Sequence, residues 1–178
     1  MMKTKYCSLL FVVTTLTIFL FSCHDEQIPP SISGNWTLVE LNGSGTMSAE
    51  DKQHIKPDSF IYSYTYTGKD FDAVLKLEKE PDVFSESGQY KETRTIDSMG
   101  TIITENVTHI LGGNGEWYVE EDSLFFLNFI SPIKNEILML TVSTLKLKEN
   151  IDYYQYDGNH MFPQHFEGTE IRTYERNQ

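Results

Sequence analysis

The chain reads as an all-β domain of antiparallel strands, arranged as a sandwich or a barrel. Three observations predict this. From Ser33 onward, apolar and aromatic residues recur mostly with a period of two. Turn-forming residues interrupt that pattern at close spacing. No amphipathic helix of useful length occurs anywhere in it. About 150 residues is an ordinary size for a single-core domain.

Asn35-Trp36-Thr37-Leu38-Val39-Glu40-Leu41 is a first strand, ended by Asn42-Gly43-Ser44-Gly45. Ser48 and Asp51 resemble a weak capping box and predict a short helix over 49–55, closed by Pro57. Phe60, Tyr62, Tyr64 and Tyr66 alternate with Ile61, Ser63 and Thr65 in a second strand. Thr67-Gly68-Lys69-Asp70 reads as a hairpin turn into a third strand carrying Phe71, Ala73, Leu75 and Leu77. Residues 88–96 and 101–111 form a hairpin about Asp97-Ser98-Met99-Gly100, and Gly112-Gly113-Asn114-Gly115 is the strongest turn signal of the chain. Residues 116–119 then pair with 124–129 across Glu121-Asp122-Ser123. Strands over 135–140 and 144–147 follow, with a bulge or turn near Val142-Ser143, where the apolar phase changes. Residues 150–166 have no clean period, and 168–175 is the last strand.

The N-terminus carries a different kind of signal. Lys3 and Lys5 precede an uncharged apolar run from Ser8 to Phe21. The run is shorter than the about 20 residues needed to span a bilayer core, and matches the apolar region of a signal peptide. It ends in Leu20-Phe21-Ser22-Cys23, which resembles the lipobox of bacterial lipoproteins. The resemblance implies cleavage before Cys23 and acylation of that cysteine with chains such as palmitate. Residues 1–22 are then a signal peptide, 23–32 a lipidated tether stiffened by Pro29-Pro30, and 33–178 the folded domain. The plain alternative is a secretory peptide in which Cys23 is incidental. His24-Asp25-Glu26 resembles the surface-export signal of some Gram-negative lipoproteins, or is simply a polar tether. The implied location is the outer membrane, facing the periplasm or the cell surface.

Composition narrows the partners. The only cysteines are Cys7 and Cys23, so the mature domain has no disulfide. Without Lys3 and Lys5 the chain has 12 cations against 26 acids, a formal charge of −14. Phosphate backbones repel such a chain, which argues against nucleic-acid binding. Anionic headgroups repel it as well, so membrane attachment rests on the lipid of Cys23.

Gly34-Asn35-Trp36 resembles the Gly-x-Trp that opens the first strand of lipocalins. With Gly115-Glu116-Trp117-Tyr118-Val119, Ile137-Leu138-Met139-Leu140-Thr141 and Thr144-Leu145-Lys146-Leu147, it makes residues 32–175 similar to the lipocalin-like domain of small Gram-negative lipoproteins. The resemblance implies an antiparallel up-and-down barrel of eight to ten strands with at most one short helix. Trp36 would close its base, joined by Gly34 and by an arginine of the last strand. Arg172 is preferred to Arg176 for that place because it lies inside the strand.

Chemistry for an enzyme is not visible. No serine sits in a nucleophile elbow, and the five histidines lack a base-and-orienter context. His160 and His165 are not at the spacing of a zinc pair, so neither a metal nor a cofactor is expected. Asp97-Ser98-Met99 and Asp122-Ser123-Leu124 resemble O-glycan acceptor motifs of exported Gram-negative proteins. The aromatic face of the second strand points to binding: Tyr62, Tyr64 and Tyr66, with Trp117, would line a cavity for a small apolar ligand. The plain alternative is core packing. The expected function is therefore a non-enzymatic, lipid-anchored envelope protein binding a small apolar molecule. The rival is a filled barrel that contacts another envelope protein or glycan through its outer surface.

Overall fold

The computed structural model describes residues 30–50, 59–127, 131–155 and 164–177. Eight antiparallel strands run in chain order: β1 (Gly34–Glu50), β2 (Ser59–Glu78), β3 (Val83–Ser98), β4 (Thr101–Glu120), β5 (Ser123–Leu127), β6 (Pro132–Leu140), β7 (Thr144–Gln155) and β8 (Gln164–Arg176). Each pairs with its successor, and β8 pairs with β1, which closes an up-and-down barrel. There is no helix among the described residues. The lipobox and most of the tether lie outside them, as do residues 51–58 of the expected helix; Ala49 and Glu50 belong to β1.

Two expected turns are in fact continuous strand. β1 runs straight through Asn42-Gly43-Ser44-Gly45, because the glycines serve cross-strand packing rather than chain reversal. A Cβ on Gly43 would overlap the Tyr66 ring, and one on Gly45 would stand 2.7 Å from the Tyr64 hydroxyl. The two rings lie across the bare backbone of their neighbour. β4 likewise passes through Gly112-Gly113-Asn114-Gly115, where a Cβ on Gly115 would sit 2.9 Å from the Phe84 ring.

The turn expected at Thr67-Gly68-Lys69-Asp70 is a bulge inside β2. Asp70 takes a left-handed φ of 53°, and the inward phase changes from Tyr64 and Tyr66 to Ala73, Leu75 and Leu77. Across it on β3, Gly88 has φ +99°, and a Cβ there would overlap the Asp72 carbonyl. Extra residues of this kind increase strand coiling, which lets strands of this length curve into a closed wall.

Three other turns match the sequence. Met99 (φ 51°) and Gly100 (φ 88°) make a two-residue reversal, with the Gly100 amide donating to Asp97 Oδ1 at 2.8 Å. Glu121 (φ 55°) turns β4 into β5. Thr141 Oγ1 accepts the amides of Ser143 (3.2 Å) and Thr144 (2.8 Å) between β6 and β7.

One end of the interior is filled with apolar side chains. Trp36, Leu38, Leu41, Leu75, Leu77, Leu124, Leu145 and Leu147 are all at most 1% exposed, and Phe84, Trp117, Phe126 and Tyr174 pack among them. Each such leucine contributes roughly 1.5–3 kcal/mol relative to exposure. The indole N–H groups are satisfied within this floor, Trp36 Nε1 donating to the Ile32 carbonyl and Trp117 Nε1 to that of Glu78, both at 2.8 Å.

The wall is uneven in height. β5 has 5 residues and β6 has 9, whereas β4 has 20. β4 pairs with β5 only along Glu116–Glu120, and β7 pairs with β6 only as far as Glu149. Among the described residues, the rest of β4 is paired with β3 alone and the rest of β7 with β8 alone. Among the described residues the barrel is thus closed at its floor and slit above β5 and β6.

Candidate ligand cavity

Above the apolar floor the inward positions turn polar. β2 contributes Tyr64 and Tyr66, β3 contributes Tyr90, Glu92 and Arg94, and β4 contributes His109. β7 adds Glu149, Ile151 and Tyr153, and β8 adds Phe166, Glu170 and Arg172. They surround a cavity of about 840 Å³. Lys148, Asn150 and Asp152, which alternate with the inward residues of β7, line it too. The space therefore continues past the unpaired edge of β7 and opens through the slit.

Two ion-pair groups organise the wall. Glu92 is only 2% exposed and accepts Arg94 Nε at 2.8 Å. His109 Nε2 lies 3.0 Å from the other Glu92 oxygen but off the line of a hydrogen bond, so among the described residues it has no hydrogen-bond partner. Its ring stacks on Tyr90 at 4.8 Å. In the second group, Glu170 accepts the Tyr66 hydroxyl at 2.5 Å and also Arg172 Nε. Arg172 Nη2 stands 3.3 Å from Glu149 Oε2.

These surroundings displace several ionisation equilibria. Burial, reinforced by Glu170, raises the Tyr66 phenol so far that it remains a hydroxyl donor. Burial also pushes Tyr90 up to about 12. Glu149 is raised by burial, which Arg172 opposes only in part. For Arg172 burial works against the charge, but Glu170, Tyr174 and Glu149 outweigh it, so the guanidinium stays protonated.

An aromatic row completes the site. Tyr64 stacks on Tyr66 (6.1 Å between centroids) and meets Phe166 edge-on (6.0 Å); Phe166 stacks on Tyr153 at 5.1 Å.

The structure sorts the residues singled out from sequence. Tyr64 and Tyr66 line the cavity; Tyr62 is half-buried and does not, and the Phe60 side chain is outside the described residues. Trp117 belongs to the filled floor rather than to the cavity. Trp36 is fully buried at the base as expected, but the cation over it is Arg176, not Arg172. The reason is register: Trp36 pairs directly with Arg176, whereas Arg172 pairs with Leu41, higher on the wall. Gly34 lies beneath the Arg176 side chain, a Cβ there coming within 3.4 Å of its Cζ. The two O-glycan motifs do fall at turns, yet Ser123 is 3% exposed with its hydroxyl donating to Asp122 Oδ1 at 3.1 Å, whereas Ser98 is half-buried. His165 faces Asp152 at 2.7 Å and stacks on Tyr154, while His160 lies outside the described residues.

The charged lining was not found from sequence. In Tyr90-Lys91-Glu92-Thr93-Arg94 both alternating sets are polar, so period two alone does not say which faces inward. The usable signal lay on the other strands. A face of tyrosines on β2 needs polar partners for its hydroxyls, and Glu170-x-Arg172 supplies them on β8. The lining accordingly departs from the apolar cavity expected of the tyrosine strand: its walls are largely ionic, and its apolar portion is made of ring faces with Ile151, Ile133 and Pro132.

Comparison of the chain with protein-family models, with curated proteins and with solved structures finds no match. The class defined by fold and site is an eight-stranded up-and-down barrel with a filled floor and an open, charged cavity.

Proposed function

We propose that this chain is a non-enzymatic, lipid-anchored lipoprotein of the cell envelope whose lipocalin-like barrel holds a small molecule. The observation that carries the reading is the cavity. Its volume of about 840 Å³ falls in the roughly 300–1,000 Å³ typical of small-molecule sites. Aromatic faces and a few fixed charges line it, the composition that holds and orients a ligand. The ligand is amphipathic rather than wholly apolar, because burying an apolar group against Glu92, Glu149 and Glu170 leaves their charges without solvation. Anchoring rests on the lipobox at Cys23 and places the domain at the outer membrane.

Native mass spectrometry of the full chain, extracted from its own envelope in mild detergent, tests this reading. Ile151→Trp fills the cavity from β7. A bound small-molecule mass on the wild type that is lost in the folded variant is the expected result; a bare wild type identical to the variant counts against it.

A second reading, contact with another envelope protein, is favoured by β4. Over Thr101–Gly115 the strand lacks a second partner among the described residues, and Ile102 and Ile110 are 61% and 83% exposed. Such an edge suits strand addition by an extended segment. Ile110→Lys would then abolish in-cell crosslinking to that protein and leave ligand binding intact; unchanged crosslinking argues against this contact.

A further inference from the structure

The charges around the cavity do not balance. Glu92, Glu149 and Glu170 line it, and Glu86, on the inward face of β3, is near enough to act on Arg172, Tyr174 and Glu149. Among the described residues, two guanidinium groups stand against them: Arg94 is engaged by Glu92, and Arg172 is shared between Glu170 and Glu149. Protonation of His109 would supply one more positive charge and still leave the acids in excess. The rim lysines do not correct this. Lys148 pairs with Glu136 at 3.1 Å, and Lys134 lies over the Phe125 ring at 5.8 Å. Asp152 at the rim adds further negative charge.

A second feature lies beside the most weakly compensated acid. Asn135 of β6 is directly opposite Glu149 in register, which puts both side chains on the inner face of the wall. It is 1% exposed, and among the described residues neither its Nδ2 nor its Oδ1 has a hydrogen-bond partner. Asn135 does not itself line the cavity, whereas its register partner Glu149 does, so the Glu149 carboxylate is the group a ligand reaches. It is an acceptor, the complement of a group that donates and carries positive charge. Ile151, next inward on β7, leads from it toward the ring faces of Tyr153 and Phe166, which accept hydrocarbon and cation alike.

We propose that the cavity takes a small organic amine in its protonated form, with the ammonium on Glu149 and the hydrocarbon part along Ile151 toward Tyr153 and Phe166. The proposal rests on the small-molecule reading above and adds the chemical class of the ligand. The bound ammonium offsets the excess negative charge. An anionic ligand would add to the excess, and a neutral one would leave it in place.

Three probes that share one ring and differ in head group decide the matter: phenethylammonium, 2-phenylethanol and phenylacetate. Each is titrated against the full chain in detergent micelles, with empty micelles as the blank, by isothermal calorimetry and saturation-transfer NMR. The expected result is that phenethylammonium binds at least tenfold more tightly than the alcohol and that phenylacetate does not bind. Glu149→Gln should then bring the ammonium to within about twofold of the alcohol. If the alcohol or phenylacetate binds as tightly as the ammonium, the amine assignment is overturned while a small-molecule site stands. If none binds above the blank, both fail. A folded Glu149→Gln chain that keeps full preference for the ammonium overturns the seat on Glu149. Should that variant not fold, the order of the three probes on the wild type still decides for or against the amine.

Discussion

The guanidinium of Arg176 lies over the indole of Trp36, 4.1 Å from the ring centroid, and so joins the last strand of the barrel to the first. The same side chain donates to the carbonyl of Ser33 at 2.7 Å and to that of Ser31, which ties the incoming chain to the closed end. Trp36 in turn donates to Ile32. Start, end and seam of the barrel meet at this one stack.

Removing the indole should therefore be costly. Trp36→Ala is expected to destabilise the domain by about 3–5 kcal/mol, the range for loss of a large buried aromatic. A double-mutant cycle of Trp36→Phe with Arg176→Lys should show coupling of about 0.5–2 kcal/mol. Denaturant titration measures both; a loss below about 1 kcal/mol for Trp36→Ala contradicts the packing described here.

The glycines offer a test of strand against turn. Gly43→Ala forces its methyl into the Tyr66 ring and disturbs the hydroxyl bond to Glu170, an overpacking expected to cost about 1–3 kcal/mol. Nothing lies within 4 Å of a Cβ on Gly112, so Gly112→Ala should stay within about 0.5 kcal/mol of wild type. Equal losses in thermal melts of the two variants would mean that the Tyr66 ring does not lie over Gly43.

Glu149 imposes a pH dependence opposite to that of most acids. Its pKa in the folded chain is raised above the ordinary 4.5, by burial first, with Glu170 and Glu86 adding to it and Arg172 opposing; Asn135 faces it from β6. A raised carboxyl contributes stability that is present below the unfolded value and is lost as pH rises through the folded one. Glutamine cannot ionise and escapes that loss. The melting temperature of Glu149→Gln minus that of wild type should thus be more positive at about pH 7.5 than at about pH 4. A difference that is flat or falls with pH would show that Arg172 compensates the charge in full.

Anchoring has its own test. Cys23→Ala should abolish metabolic labelling with a fatty acid and move the protein from the membrane to the soluble fraction, since the acidic mature chain has no electrostatic attraction to anionic lipid. Sedimentation of the variant with membranes at high salt would argue against lipidation at Cys23.

The all-β class, the reversals at Asp97–Gly100 and Glu121–Ser123, and the burial of Trp36 were legible in the sequence. They depend on local chemistry: period two, residues that accept positive φ, and a large apolar ring in a strand. What misled was also local. Asn42-Gly43-Ser44-Gly45 has the composition of a turn, and only the rings arriving from β2 show that the glycines are clearance for Tyr64 and Tyr66. Likewise Arg172 and Arg176 differ by four residues on one strand and are equivalent by periodicity. The register of β8 on β1 puts one over Trp36 and the other among Glu149 and Glu170. The charged cavity belongs wholly to tertiary structure. Its inward charged and hydroxyl-bearing members sit on β2, β3, β4, β7 and β8, and each is an ordinary polar residue of an alternating segment. They form a site because closure of the barrel turns one face of every strand toward the same space, while short β5 and β6 leave that space open.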